Sequence, residues 1–170
     1  TYAREGPAEL DLADVDLRAL VTDVANGLPV ASADQVTVEN ELPDGVAALA
    51  DREQLYRVFA NIAQNANEAG ATRLRVYGDR ADGRVVVCIA DNGPGLPPIV
   101  RDSLFRPFET AGKSGNSGLG LAIARDLVHD HGGEISLERT SGEGTVFRIE
   151  LPAGQHRAAG GQTVRRAAAR

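Results

Sequence analysis

Residues 91–121 read DNGPGLPPIVRDSLFRPFETAGKSGNSGLGL and hold two glycine-rich turns. Between the turns runs a polar stretch with an apolar Leu-Phe-x-Pro-Phe patch at 104–108. The first turn follows Asp91 at the end of an apolar run, and the second leads into an apolar helix predicted to begin near Gly118. Glycine lets a backbone approach a ligand closely, and a helix N-terminus offers unpaired N–H groups to phosphate. The stretch therefore predicts a nucleotide site under a flexible lid.

Two asparagines upstream extend this interpretation. The segment NIAQNANEA at 61–69 places Asn61 and Asn65 one turn apart on a predicted helix, which Asp51 caps and Gly70 ends. At about 100° per residue, the apolar residues of this helix form one stripe, and the two asparagines lie along its border. An isolated pair of asparagines is simply solvated, but at the border of a buried stripe the pair predicts the wall of a cleft.

Together these motifs resemble the ATP-binding catalytic domain of sensor histidine kinases. That domain belongs to the GHKL group of ATPases and kinases, with gyrase, the mismatch-repair ATPases and heat-shock chaperones. Four boxes stand in the family's order within residues 36–152: an asparagine box, a first glycine box, a phenylalanine box and a second glycine box. One box alone is a weak signal, whereas four in series are specific. The resemblance implies that the chain binds Mg-ATP and transfers its γ-phosphoryl group to a histidine.

The first glycine box is the predicted adenine site. A carboxylate at the mouth of a buried strand can accept a hydrogen bond from an exocyclic amine. The resemblance assigns this role to Asp91, while Gly93 and Gly95 allow the close turn. The alternative interpretation of Asp-Asn-Gly is an ordinary β-turn without a ligand. The second glycine box downstream favours the nucleotide site.

The second glycine box is the predicted phosphate site, where backbone N–H groups at the start of a helix would cradle the phosphates. The residues that the resemblance assigns to it are Gly115, Gly118, Leu119 and Gly120. In the phenylalanine box, Phe105 and Phe108 either anchor the lid or pack into the core, and the sequence leaves both interpretations open.

The asparagine box is the predicted metal and catalytic site. Amide oxygens are neutral, hard ligands for a Mg²⁺ ion that bridges phosphates. The resemblance assigns Asn65 to the metal, with Asn61 as a second candidate ligand. Related hydrolases carry a glutamate at the position of Asn61 as a general base, and an amide cannot accept a proton at neutral pH. Asn61 therefore argues against attack by water and for transfer to another acceptor.

Lys113 is the second predicted catalytic residue. Many histidine kinases carry a cation just after the asparagine box, where this chain has Glu68 and Ala69. The chain's single lysine lies instead in the lid, among 18 basic residues in total. We predict that Lys113 contacts the phosphates and stabilises the charge that develops on the transferred group. Chance placement of the lysine is the alternative.

The phosphoryl acceptor is predicted to lie outside this chain. The family's acceptor histidine stands in a His-Glu-x-x-x-Pro type of motif on a helical hairpin, and none of His129, His131 and His156 has that context. The resemblance implies two protein partners: a histidine-bearing dimerisation domain of the same full-length protein, and a response regulator. We expect the isolated domain to be monomeric. A metal site at His129 and His131 is disfavoured, because side chains two apart on a helix diverge by ~200°.

Composition excludes several other classes of function. A formal net charge of −6 without a basic stripe disfavours nucleic acid as a partner. Cys88 is the only cysteine, so there is no disulfide framework, and its apolar surroundings favour a small buried residue over a catalytic thiol. No apolar run approaches the ~18 residues that span a bilayer. We expect a cytoplasmic domain, with a parent protein that can be anchored in the inner membrane.

Periodicity predicts an α+β fold. It is a two-layer α/β sandwich, in which a mixed, mostly antiparallel sheet of about five strands is covered on one face by about three helices. Helices are predicted at 15–28, 52–69 and 118–131, and strands at 36–42, 46–50, 73–77, 84–90, 134–138 and 145–151. Residues 1–30 are predicted to hold a linker from an upstream helical dimerisation domain plus a short helix. The catalytic domain then spans 31–152, and 153–170 form a disordered tail.

Three other functions use the same fold. An ATPase of the gyrase or chaperone type is disfavoured by Asn61. A degenerate domain that serves as a docking scaffold in a phosphorelay is disfavoured by the intact glycine boxes. A protein-serine kinase remains open.

Overall fold

The computed structural model describes residues 9–28, 36–102, 104–105 and 120–155. Within these ranges the chain forms four helices and seven strands. The helices are α1 Leu17–Gly27, α2 Arg52–Glu68, α3 Pro98–Asp102 and α4 Gly120–Asp130. The strands are β1 Ala13–Asp16, β2 Thr37–Asn40, β3 Ala47–Ala50, β4 Arg73–Ala81, β5 Arg84–Asp91, β6 Glu134–Ser141 and β7 Gly144–Pro152.

Five of the strands form one mixed sheet in the order β2-β4-β5-β7-β6. β2 runs parallel to β4, and the other neighbouring pairs are antiparallel. β5 lies in the middle, as its continuous apolar run predicts. Helices α1, α2 and α4 share one core with the inward side chains of this sheet. The predicted two-layer α+β sandwich is confirmed.

Helix α2 carries the asparagine box and begins and ends as its sequence predicts. The Asp51 side chain accepts a hydrogen bond from the Gln54 N–H at 3.2 Å and caps the first turn. Leu55, Val58 and Ile62 are buried against the sheet. The helix ends before Gly70, whose φ of +98° favours glycine.

The N-terminal part of the chain corrects two predictions. Residues 13–14, predicted as linker, and residues 15–16, predicted as the start of the first helix, form strand β1, and α1 begins at Leu17, two residues later than predicted. β3, which corresponds to the strand predicted at 46–50, pairs with β1 and places Ala48 opposite Val15. Strand β1 escapes sequence analysis because a four-residue segment with one buried side chain carries little periodicity. Helix α3 was also not predicted.

Strand β5 is buried on one face only, although its continuous apolar run, typical of a strand covered on both sides, predicts burial on both. Val85, Val87 and Ile89 are buried toward the helices, whereas Val86 and Ala90 on the other face are only half-buried. Cys88 is buried on that open face, opposite Tyr77 of β4. Burial raises the pKa of the Cys88 thiol, which confirms its interpretation as a small buried residue.

The two described ends of the chain meet at the β1–β3 ribbon. The Gln155 N–H donates to Asp14 Oδ1 at 2.9 Å, and the Gly154 N–H donates to the Ala47 carbonyl at 2.8 Å. The described residues 13–28 pack into the same core as the rest of the chain. The domain boundaries in the parent chain stay a prediction, and residues 156–170 lie outside the described ranges. Among the described helices, none has the length and apolar character needed to cross a membrane.

Candidate functional site

The Asp91 carboxylate lies at the end of the central strand, where two backbone groups hold it. Its Oδ1 accepts hydrogen bonds from the Gly93 N–H at 2.8 Å and from the Thr145 N–H at 3.3 Å. Burial raises the pKa of the Asp91 carboxyl, and these two N–H groups act in the opposite direction. The carboxylate is thus oriented by the backbone and partly withdrawn from water.

The first glycine turn packs directly against the β6–β7 hairpin. Gly95 has a φ of +85°, and a Cβ at this position would lie 2.1 Å from the Ser141 carbonyl oxygen. On the other side of the contact, a Cβ on Gly144 would lie 1.9 Å from the Asp91 carbonyl oxygen. Both glycines are required because two backbones approach each other more closely than any side chain allows.

Asn92 has a structural role within the same turn. Its Oδ1 accepts hydrogen bonds from the Thr72 and Arg73 N–H groups, both at 2.9 Å. Its Nδ2 donates to Thr72 Oγ1 at 2.9 Å. The amide therefore ties the turn to the start of β4, while the neighbouring carboxylate of Asp91 accepts from the Gly93 and Thr145 amides. The turn predicted for Asp-Asn-Gly is therefore present, and the role of Asp91 in a nucleotide site stays a prediction.

Asn61 and Asn65 of α2 are half-buried and lie along the border of its buried apolar stripe, as predicted. Asn61 Nδ2 donates to the Gly120 carbonyl at 3.3 Å, and Gly120 is the first residue of α4. This bond places the asparagine box beside the described end of the second glycine box. Glu68 is exposed and accepts a hydrogen bond from Gln64 Nε2 at 3.1 Å.

Four predicted site residues lie outside the described ranges: Lys113, Gly115, Gly118 and Leu119. Phe108 lies outside them as well. Phe105 is described, and its ring meets Phe147 of β7 edge-on with the centroids 6.1 Å apart. Leu104 is buried in the core. The described start of the phenylalanine box thus packs against the sheet.

Sequence analysis missed two threonines of the β6–β7 hairpin. Thr145 is only 3% exposed, and it lies opposite Asp91 in the pairing of β5 with β7. Thr140 Oγ1 accepts the Leu96 N–H at 2.9 Å and lies 2.9 Å from Thr145 Oγ1. The sequence shows a Ser-Gly-Glu-Gly turn followed by threonine, but it does not show that this hairpin pairs with the strand of Asp91.

His131 joins the end of α4 to the start of α2. Because the Leu127 carbonyl only accepts, Nδ1 donates to it at 2.7 Å, and Nε2 accepts the Asp51 N–H at 3.1 Å. Both ring nitrogens are thus used in the fold, so His131 has a structural role. His129 lies apart and contacts Glu134 at 3.3 Å. Among the described residues, no group of three or more His, Cys, Asp or Glu side chains is arranged to hold a metal.

A cavity of about 380 Å³ lies on the open face of the sheet, away from α2. Arg73, Arg75 and Arg139 line it, with Ala90 and Val146 also in the lining. Arg73 already pairs with Glu39 at 3.2 Å, and Arg75 with Glu41 at 2.9 Å. Most of the positive charge of the cavity is therefore compensated. Asp91 and Asn92 also line it, so the cavity borders the first glycine turn.

The fold, together with the asparagine box and the first glycine box, defines an ATP-binding domain of the GHKL type. The chain belongs to the family described as histidine kinase-, DNA gyrase B-, and HSP90-like ATPase, whose profile matches residues 50–155. A relative in this family is the signal transduction histidine-protein kinase AfsQ2 of Streptomyces coelicolor. It is 38% identical over 151 residues, which cover 86% of this chain and 28% of AfsQ2. The chain spans between 18% and 39% of the length of curated sensor kinases that it matches.

Solved structures give the same assignment. Full-length ShkA in complex with AMPPNP superimposes with a TM-score of 0.77 at 30% identity, over 90% of this chain and 33% of ShkA. The catalytic domain of the histidine kinase ThkA superimposes with a TM-score of 0.73 at 26% identity, over 85% of this chain and 97% of that domain. The resemblance to the ATP-binding domain of sensor histidine kinases is confirmed, while the individual roles of the site residues stay predictions.

Proposed function

We propose that this chain is the catalytic domain of a two-component sensor histidine kinase. In this proposal it binds Mg-ATP and passes the γ-phosphoryl group to a histidine on a separate dimerisation domain of the same full-length protein. The observation that carries the proposal is the Asp91 carboxylate, whose Oδ1 is held by two backbone N–H groups beside the first glycine turn. Within the described residues no donor bonds to Oδ2, so that oxygen can accept a hydrogen bond from a nucleotide base.

Asp91 favours adenine over the other purines. A carboxylate only accepts hydrogen bonds, so it pairs with the exocyclic amine of adenine and repels the carbonyl oxygen that guanine and hypoxanthine carry in its place. The partial burial of Asp91 strengthens this selection, because the electrostatic interaction is less screened than in water. We expect ATP to bind more tightly than ITP, in which an oxo group replaces the exocyclic amine and N1 carries a hydrogen.

The asparagine box would hold the metal and phosphate end of the nucleotide. Mg²⁺ would be bound through the amide oxygen of Asn65, with Asn61 as a second ligand, since both lie half-buried on one wall beside the start of α4. When bound, the ion neutralises negative charge between the phosphates. The predicted contacts of Lys113, Gly115, Gly118, Leu119 and Gly120 with the phosphates would complete the site.

The reaction class follows from the amide at position 61. An asparagine cannot deprotonate water, whereas a histidine side chain attacks with its own ring nitrogen and needs no strong base. The acceptor histidine belongs to the dimerisation domain, and a response regulator would receive the phosphoryl group from it. These partners and ATP place the proposed activity in the cytoplasm.

Calorimetric titration of AMPPNP with Mg²⁺ tests the adenine site. We expect micromolar binding to the wild type and, from the loss of a charged hydrogen bond, about 10- to 100-fold weaker binding to Asp91→Asn. Asp79→Asn is the matched control, because Asp79 is exposed on β4 and pairs with Val86, five positions before Asp91 on β5. Absence of binding to the wild type would refute the proposal and favour the docking scaffold.

A transfer assay tests the acceptor. The chain is mixed with a histidine-kinase dimerisation domain and γ-labelled ATP, and the control carries alanine in place of the acceptor histidine. We expect label on the intact domain only. Rapid release of free phosphate without label on that domain would indicate an ATPase of the gyrase or chaperone type instead.

A further inference from the structure

Thr140 joins three parts of the predicted adenine site. It lies near the end of β6, and its Oγ1 accepts the Leu96 N–H of the first glycine box at 2.9 Å. The same oxygen lies 2.9 Å from Thr145 Oγ1, and the Thr145 N–H donates to Asp91 at 3.3 Å. Thr140 thus contacts the first glycine turn directly, and it is linked through Thr145 to the Asp91 carboxylate that is proposed to read adenine.

The hydroxyl of Thr140 is suited to this position because it can accept the Leu96 N–H and at the same time share a hydrogen bond with the Thr145 hydroxyl. Its lone pair takes the Leu96 N–H, and the contact between the two threonine oxygens uses one hydroxyl proton. Thr145 is 3% exposed, so an unpaired hydroxyl there would be costly. Valine has the same shape as threonine but can make neither bond.

The surrounding backbone leaves the hairpin little freedom to compensate. Gly95 approaches the Ser141 carbonyl, and Gly144 approaches the Asp91 carbonyl, so closely that a Cβ would lie about 2 Å from either oxygen. A shift of the hairpin therefore moves the glycine turn and the end of β5 together. The hydroxyl pair lies between these two backbone contacts.

We propose that Thr140 is a positioning residue for the recognition of adenine. It holds the Leu96 amide and the Thr145 hydroxyl, and through them it fixes the distance between the Asp91 carboxylate and the first glycine turn. This inference rests on the proposed function, since it gives a further residue for the same base site. Thr140 acts through Asp91 and Thr145 rather than on the phosphates.

The test compares the affinities for ATP and ITP in four proteins: the wild type, Thr140→Val, Thr140→Ser and Thr37→Val. Serine keeps the hydroxyl, and Thr37 is the matched control because it is an exposed strand threonine on β2. In Thr140→Val we expect ATP affinity to fall about tenfold, the loss of roughly one hydrogen bond, and ITP affinity to fall less. The preference for ATP over ITP then narrows by about threefold or more. Thr140→Ser restores it, and Thr37→Val leaves it unchanged.

A purely structural role gives a different result, because a lower folded fraction reduces both affinities by the same factor. An unchanged ATP-to-ITP ratio in Thr140→Val overturns the inference while leaving the proposed function intact. Failure of Thr140→Ser to restore the ratio also overturns it. A wild type that binds neither nucleotide overturns the proposed function and the positioning role with it.

Hydrogen exchange tests the contact itself without nucleotide. We expect the Leu96 amide to exchange at least about tenfold faster in Thr140→Val than in the wild type, because its acceptor is lost. Thr37→Val should leave that amide protected. Unchanged protection of Leu96 in Thr140→Val would show that the contact does not hold the turn, and would overturn the inference.

Discussion

Replacement of Gly95 by alanine tests the close packing of the first glycine turn. Gly95 has a φ of +85°, and a Cβ there would lie 2.1 Å from the Ser141 carbonyl oxygen. Gly83, in the β4–β5 turn, has a nearly identical φ of +80° but no atom within 4 Å of its Cβ position. Gly142 is as open as Gly83 and lacks the positive φ. The three glycines therefore separate backbone strain from steric contact.

The expected magnitudes follow from these two effects. Alanine at positive φ costs about 1–2 kcal/mol, and the reduced entropy of the unfolded chain offsets about 0.4–1 kcal/mol of that cost. Gly83→Ala should therefore destabilise the domain by about 1 kcal/mol. Gly95→Ala must in addition push the turn away from a backbone oxygen, which adds about 1–3 kcal/mol, for a total of about 2–4 kcal/mol. Gly142→Ala should be near neutral.

Urea unfolding followed by far-UV circular dichroism measures the series. For a domain of this size, a loss of 2–4 kcal/mol lowers the midpoint by about 1–2 M urea. The order expected for the midpoints is Gly142→Ala highest, Gly83→Ala next and Gly95→Ala lowest. If Gly95→Ala were no less stable than Gly83→Ala, the contact between the glycine turn and the β6–β7 hairpin would be refuted.

Three further predictions concern titration, a buried histidine and the asparagine box. We expect the preference for ATP over ITP to be lost as the pH drops. Because burial raises the pKa of Asp91, this loss should occur at a higher pH than it would with an ordinary aspartate. The nucleotide-free domain gains stability from Asp91 on acidification, and this contribution is lost as the pH rises through the folded-state pKa. His131→Phe leaves the Asp51 N–H and the Leu127 carbonyl without their side-chain partner, so thermal unfolding should show a loss of about 2–4 kcal/mol. Asn61→Asp places a second acceptor against the Gly120 carbonyl, and calorimetry should show about tenfold weaker binding of AMPPNP.

Each of these predictions has a matched control. Asp91→Asn should remove the pH dependence of the ratio between the ATP and ITP affinities. Titration of the phosphates does not affect this ratio, because it changes both affinities equally. His129→Phe should cost less stability than His131→Phe, since His129 is partly exposed and His131 is buried. Gln64→Glu makes the same amide-to-acid change on α2 without a bond to α4, so its effect on affinity should be smaller. An equal effect in either of the last two pairs would contradict the role assigned to the tested residue.

Local features of the site were predictable from sequence because they depend on neighbouring residues. The Asp51 cap, the apolar stripe of α2 and the border position of Asn61 and Asn65 all follow from helical periodicity over one segment. The turn after Asp91 follows from its glycines. The order of the four motifs then indicated the family, which the match over residues 50–155 confirms. The roles of Lys113 and the second glycine box remain predictions from the sequence.

Contacts between distant segments were decided only by the tertiary structure. Thr145 bonds to Asp91 across 54 residues, and His131 bonds to the Asp51 amide across 80 residues. Neither pair leaves a mark in local periodicity, because strand partners are chosen by the packing of the whole sheet. The same reason explains why β3 pairs with β1 rather than with β2. The sequence by itself determined which residue types the site contains. The pairing of β5 with the β6–β7 hairpin, which only the tertiary structure shows, brings the Thr145 N–H to the Asp91 carboxylate and helps to hold it in place.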